Sequence, residues 1–328
     1  MSHRLVRIGL LALSPLVAAL FALFIGSVQV APGEILRAVL GDGPFNAEVV
    51  VQLRLPRVLL AGIVGGGLAL AGAVFQALLR NPLAEPYILG VSAGAAAGAV
   101  AVLALGLVSL ASWALPAAAF VGALVAIGLV FGVAAAADRR LDVRVLLLAG
   151  VVIGAFFSAV IALILATSDA ATVRSAMLWM MGSLAGAGWR QVVIAAAYTV
   201  PAVLVLLALA RPLNLISVGE ESAHYLGADV EGLKRTAFLT ASLITAAGVA
   251  VAGVIGFVGL VIPHALRIFV GSDHRTLLPL STLTGAAFLI VADLGARIML
   301  APVEVPIGVV TAFVGVPVFL VLLRRSQA

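Results

Sequence analysis

Apolar residues run along this chain in long, nearly charge-free stretches rather than in short alternations. Such runs occupy residues 8–28, 58–79, 88–108, 113–137, 145–167, 191–210, 236–266, 276–295 and 305–323. A helix needs about 20 apolar residues to cross about 30 Å of hydrocarbon, so each run is long enough to span a bilayer. Strands of a membrane barrel would instead alternate apolar and polar residues over short segments. The pattern predicts an all-α polytopic membrane protein.

One run is too long. Residues 236–266 would measure about 46 Å as a single helix at 1.5 Å per residue, and they contain Gly248, Gly253, Gly256, Gly259 and Pro263. They read as one full span followed by a short, broken one, which brings the count to ten. The first run follows His3, Arg4 and Arg7, as a signal peptide would. Its apolar core exceeds the usual 7–15 residues and no small-x-small cleavage site is evident, so it is read as a retained first helix.

Charge supports this topology. With ten spans and both termini cytoplasmic, thirteen Lys/Arg fall on the cytoplasmic side. Six lie on the outer side: Arg37, Arg54, Arg57, Arg174, Arg190 and Arg297. That is the bias of the positive-inside rule. An internal repeat is also visible: Gly67-Leu-Ala-Leu-Ala-Gly72 resembles Gly248-Val-Ala-Val-Ala-Gly253, and at the same offset of 181 residues Pro82 meets Pro263 and Gly90 meets Gly271. The copies begin at the second and seventh helices and so run in opposite directions, an arrangement of transporters with broken helices. The expected layout is one permease domain with repeat halves at about 54–168 and 235–324 and a cytoplasmic loop at 211–234.

Composition narrows the function. Of 328 residues, 64% are hydrophobic and 10% charged, with 19 Lys+Arg and 14 Asp+Glu, and mean hydropathy is +1.27. Soluble domains average about 25% charged residues, so a soluble enzyme and a disordered chain are excluded. The net charge of +5 is scattered, which leaves no nucleic-acid footprint. The absence of cysteine removes disulfides and thiolate metal sites. The 34 glycines suit close helix approach in lipid.

The chain carries no visible energy source. Its only lysine is Lys234, and the Gly-x-x-x-x-Gly-Lys-[Ser/Thr] phosphate cradle is missing. An ion-coupled carrier would need ionisable groups along its path. The main intramembrane acid is Asp293, placed to pair with Arg297 one helical turn later. None of the four histidines sits in a metal-ligand spacing. A partner ATPase is therefore the natural engine, with a stand-alone ion-coupled carrier as the rival class.

Two polar regions are candidate docking surfaces. In the loop 211–234, Ser217 is placed to cap a short helix that opens with Glu220 and Glu221 and ends at Gly227, with Ala223 and Leu226 on one face. A solvated loop helix would have the same composition. At the outer side Arg54, Arg57 and Arg297 lie at one membrane level. They suit an acidic partner or anionic ligand, while snorkelling to headgroups would satisfy the same side chains.

At these residues the sequence resembles the FecCD permease family. The resemblance rests on Arg54-Leu-Pro-Arg57, Asn81-Pro-Leu-Ala-Glu-Pro86, Leu89-Gly-Val-Ser-Ala-Gly94, Gly256-Phe-Val-Gly-Leu-Val-Ile-Pro-His-Ala-Leu-Arg267, Asp273-His-Arg275, Ala292-Asp-Leu-Gly-Ala-Arg297 and Pro306-Ile-Gly-Val-Val-Thr311. Such chains are non-enzymatic membrane subunits of type II ABC importers. The resemblance implies two permease copies, here expected as a homodimer, two cytoplasmic ATPases and an extracytoplasmic binding protein, in a bacterial inner membrane. It implies no cofactor. It assigns binding-protein docking to Arg54, Arg57 and Arg297, a cytoplasmic gate to Asn81 and Leu83, and ATPase coupling to Gly219, Glu220, Ala223, Leu226 and Gly227. Arg174, on the outer segment after the fifth helix, is a candidate contact for an anionic ligand, against the simpler reading of a solvated loop arginine. Asp142-Val143 departs from the small hydroxyl residues common at the family's other gate, so that role is not carried over. The implied cargo is a bulky metal chelate, with an iron(III)–siderophore placed first and haem or cobalamin as alternatives.

Overall fold

The computed structural model describes residues 2–25, 33, 49–109, 111, 113–137 and 142–326. Arg37, Arg139, Arg140 and the end of the first apolar run at 26–28 lie outside them. Among the described residues all regular structure is helical. The α-helices are α1 (Ser2–Phe24), α2 (Leu55–Leu78), α3 (Val91–Ala104), α4 (Ala114–Ala137), α5 (Val143–Ala166), α6 (Ala170–Met180), α7 (Trp189–Ala208), α8 (Ala210–Val218), α9 (Glu220–Tyr225), α10 (Val230–Ala252), α11 (Val258–Val270), α12 (His274–Ile298) and α13 (Ile307–Ser326). Seven are long and apolar enough to span a membrane, and α3, α11 and α13 are shorter apolar helices. Together these make the expected ten. The helices α6, α8 and α9 lie between spans.

Helix starts follow from local chemistry. Asp142, Asp169, Asp229 and Asp273 each precede a helix and accept a hydrogen bond from a backbone N–H in its first turn, at 2.7, 2.6, 2.9 and 3.0 Å. These are the orphan donors that an acidic N-cap satisfies. Asp142 therefore has a defined task as the cap of α5. Asp169 nucleates α6, which lacks the apolar length to register as a span.

The long run 236–266 is broken where its glycines suggest. α10 ends at Gly253, with φ +71, and α11 begins after Phe257. α10 runs antiparallel to α2: Phe75 meets Phe238 edge-on at 5.8 Å, while Gly248, further along α10, faces Val64, earlier along α2. Gly259 at the start of α11 abuts Gly72 and the Leu68 carbonyl in the middle of α2. α11 is thus a half-length helix starting at mid-depth. α3 is its counterpart, entered through the 3-10 turn Pro86–Leu89 and Gly90.

The recurring unit is this order of long helix, returning turn and half-helix. Its residue register differs from the 181-residue offset. Gly72 lies inside α2 whereas Gly253 terminates α10, and Pro82 is in an exposed turn whereas Pro263 is inside α11. Gly90 opens α3 whereas Gly271 closes α11. Gly/Ala-rich helices offer many approximate matches, and backbone topology, not glycine spacing, defines the repeat.

Glycine seams hold the bundle. α2 and α12 cross at Gly65 and Gly285, where a side-chain carbon on either would strike the other's backbone. α3 and α4 cross in the same way at Gly94 and Gly122. Such contacts bring helix backbones together, and packing of this kind drives association in lipid.

Candidate functional site

The outer site begins with the exposed end of α1. The last carbonyls of any helix lack intrahelical partners and carry the negative end of its dipole. Arg54 Nη1 donates to the Leu23 carbonyl at 2.8 Å, and Arg297 Nη2 reaches the Ala22 carbonyl at 3.4 Å. Two of the three docking candidates thus cap α1. The third, Arg57, spreads its guanidinium across two carboxylates. Nε meets both Asp293 oxygens at 3.0 Å, Nη2 meets Asp293 Oδ1 at 2.9 Å, and Nη1 and Nη2 meet the Glu304 oxygens at 2.9 Å. Arg297 Nε lies 3.2 Å from Asp293 Oδ2, the pairing expected at i, i+4.

The arrangement differs from an open cationic rim. Arg54 is buried against the end of α1, and Arg57 and Arg297 are largely buried where Asp293 pairs with both. Glu304, in the loop before α13, was not legible as a partner: a lone acid in a short loop carries no spacing signal. Its side chain is 42% exposed. Hydrogen bonding from Arg57 holds its pKa below the ordinary glutamate value. Among the described residues three arginines and two carboxylates gather here, with Glu304 on the solvent side.

The cytoplasmic site gathers α8, α9 and the turn after α2. Gly219, at φ +147, separates α8 from α9 and caps the latter. Ser217 is not the cap. It lies within α8 and its hydroxyl donates to the Leu213 carbonyl at 2.9 Å, because α8 continues through Val218. Nor do Ala223 and Leu226 share a face: Ala223 is fully buried, while Leu226 is 69% exposed and Tyr225 and Val218 are exposed too. The six-residue helix ends at Tyr225, so helical spacing no longer governs Leu226. Gly227, at φ +81, completes the exit as its N–H bonds the His224 carbonyl.

Glu220 ties α9 to the rest. Its carboxylate lies 2.6 Å from Lys234 Nζ and 3.5 Å from Arg80 Nη2. Asn214 anchors α8 by donating to Asp273 Oδ1 at 2.8 Å and accepting from the His274 backbone N–H at 2.9 Å. The amide of Asn214 and the helix cap Asp273 thereby share one junction. The same hydrogen bond is the first cause of the lowered Asp273 pKa. Asn81 closes a local turn by accepting from the Leu83 N–H at 2.9 Å, and both residues are exposed. Arg174 lies on α6, outside every cluster described.

An open apolar cavity of about 630 Å³ is lined by Met180, Met181, Val254, Phe257, Ala312 and Phe313 among others, and no charged side chain lines it. Large apolar side chains on α5 and α13, including Leu148, Phe156, Leu163 and Phe313, are exposed on the isolated chain. No group of His, Cys, Asp and Glu able to hold a metal occurs among the described residues.

Comparison with known proteins agrees with this organisation. The model of the FecCD transport family matches residues 13–325. The chain is 47% identical over 285 residues to the cobalamin import system permease protein BtuC of Halobacterium salinarum, covering 87% of this chain and 76% of that one. It is 43% identical over 317 residues to the vitamin B12 import system permease protein BtuC of Salmonella paratyphi A, covering 96% and 94%. A solved structure described as an inward-facing conformation of a metal-chelate type ABC transporter superposes with a TM-score of 0.88 at 33% identity. The alignment covers 97% of this chain and 98% of that one.

Proposed function

The chain belongs to the FecCD transport family and is the membrane permease of an ABC importer, and from that premise we propose that its cargo is cobalamin. ATP hydrolysis resides in a partner subunit, and a binding protein delivers the cargo to this multi-pass protein of the cytoplasmic membrane. The observation that carries the cargo is the near-full-length similarity to a vitamin B12 permease. Cobalamin thus replaces the iron(III)–siderophore placed first from sequence. The cavity suits a bulky chelate, because apolar walls offer few hydrogen bonds that would retain it.

The permease works as a homodimer, with the apolar faces of α5 and α13 available to the second copy. Two ATPases engage α8, α9 and the exposed Val218–Tyr225–Leu226 surface, using Gly219, Glu220, Ala223 and Gly227 to set its shape. Hydrolysis then biases the bundle between states open to either side. Asn81 and Leu83 border the cytoplasmic exit, and Arg174 stands beside the outer approach. At the outer end the binding protein's acids compete with Glu304 for Arg57 and draw on Arg54 and Arg297.

Exchanging both Arg54 and Arg57 for glutamate should weaken binding-protein affinity at low salt by at least about tenfold, since charge-assisted hydrogen bonds contribute roughly 1.5–3 kcal/mol each. Unchanged affinity by surface plasmon resonance would remove these residues from docking. The cargo is tested by calorimetric titration of the cognate binding protein with cyanocobalamin, haem and a ferric hydroxamate. Binding of cyanocobalamin alone is expected, and binding of the hydroxamate instead would restore the siderophore reading.

A further inference from the structure

The turn that follows α2 is bonded to the helix break that lines the apolar cavity. Glu85 Oε1 accepts from the Phe257 N–H at 2.6 Å. The Tyr87 hydroxyl donates to the Ile255 carbonyl at 2.6 Å and accepts from the Ile255 N–H at 2.9 Å. One turn earlier, the buried Gln76 amide nitrogen lies 3.2–3.3 Å from the carbonyls of Ala84, Gly259 and Leu260, and its oxygen accepts from Arg267. The Glu85 and Tyr87 bonds cross from the first returning turn to the second, while Gln76 ties the end of α2 to the first turn and to α11.

These bonds meet a specific need. Non-helical backbone at membrane depth is tolerated only where its polar groups are satisfied within the protein. Phe257 sits at φ +70, which is sparsely populated for a bulky residue and costs on the order of 1–3 kcal/mol unless the surroundings impose it. Glu85 holds its N–H on one side and Gly315 of α13 receives its ring on the other. The ring in turn forms part of the cavity wall. At its other end the same turn contacts the coupling segment, through Arg80 and Glu220.

We propose that the segment 80–87 and the break 253–257 move as one body, a relay from the coupling helix α9 to the cavity wall, in which Glu85 and Tyr87 are positioning residues. The proposal rests on the importer reading above. Alone, the exposed Arg80–Glu220 pair is worth little. The relay works because the remaining links are multiple and partly shielded from water. A displacement of the turn cannot leave Phe257 in place without breaking three hydrogen bonds at Ile255 and Phe257.

The absence of cysteine permits a direct test. In the assembled importer, Ala312→Cys places one thiol in the cavity wall. Its labelling rate by a membrane-impermeant thiosulfonate is measured without nucleotide and with ATP and vanadate. The relay predicts a difference of at least about fivefold between the states, a typical size for coupling between sites. Glu85→Ala and Tyr87→Phe should each shrink that difference below about twofold while ATPase activity stays within about twofold, and Glu85→Gln, which keeps an acceptor for the Phe257 N–H, should restore it. A full nucleotide-dependent difference in Glu85→Ala would overturn the relay, as would Glu85→Gln behaving like Glu85→Ala. Because this readout needs no cargo, its failure is separate from failure of the cobalamin assignment, which ligand titration and uptake decide.

Discussion

Removing the Asp293 carboxylate, as Asp293→Ala, should destabilise the chain by about 3 kcal/mol, because breaking a buried ion pair leaves its partner charge uncompensated. Arg57 would keep only Glu304, and Arg297 would lose its carboxylate altogether. Both guanidiniums are largely buried, so water cannot compensate fully. The effect should pass to α1, whose terminal carbonyl is capped by Arg297. The measurement is thermal unfolding of the detergent-purified protein for Asp293→Ala, Arg57→Ala and the double variant. The double variant should be less damaged than the sum of the singles, since each single strands a charge that the other removes. Strict additivity would show that the two side chains do not act together.

Gly285→Leu should be more damaging still, with little monodisperse protein recovered. A β-carbon at Gly285 would fall on the Ala69 side chain and the Gly65 carbonyl, and neither can retreat without separating α2 from α12. Overpacking a well-packed site typically costs about 1–3 kcal/mol where neighbours can give, and here the obstruction includes backbone. Gly128→Leu is the matched control, since nothing lies within 4 Å of its added carbon. Size-exclusion chromatography of both variants decides the matter. Equal recovery would contradict the seam as the point of closest helix approach.

What could be read from sequence divides along physical lines. Nine apolar runs follow from length, and the tenth helix follows from a run too long for one crossing with glycines inside it. Those signals are local. The arginines proposed for docking were visible as charges at one level, but not their burial, because Glu304 meets Arg57 across 247 residues. Ser217 has the chemistry of a cap but lies before the glycine that turns the chain, so α8 absorbed it. Asp169 marks α6, yet eleven residues of mixed polarity give no span signal. Glu85 stood inside a recognisable motif, while its partner at Phe257 lies 172 residues away and is joined only by the returning turns.

Uptake of labelled cyanocobalamin into proteoliposomes tests the central claim most directly. The vesicles carry this permease with its ATPase inside the complex and its binding protein on the opposite face. The account predicts accumulation that requires both ATP and the binding protein and is not diminished by excess ferric hydroxamate. Accumulation of the ferric hydroxamate instead, or cobalamin entry driven by an ion gradient without ATP, would contradict it.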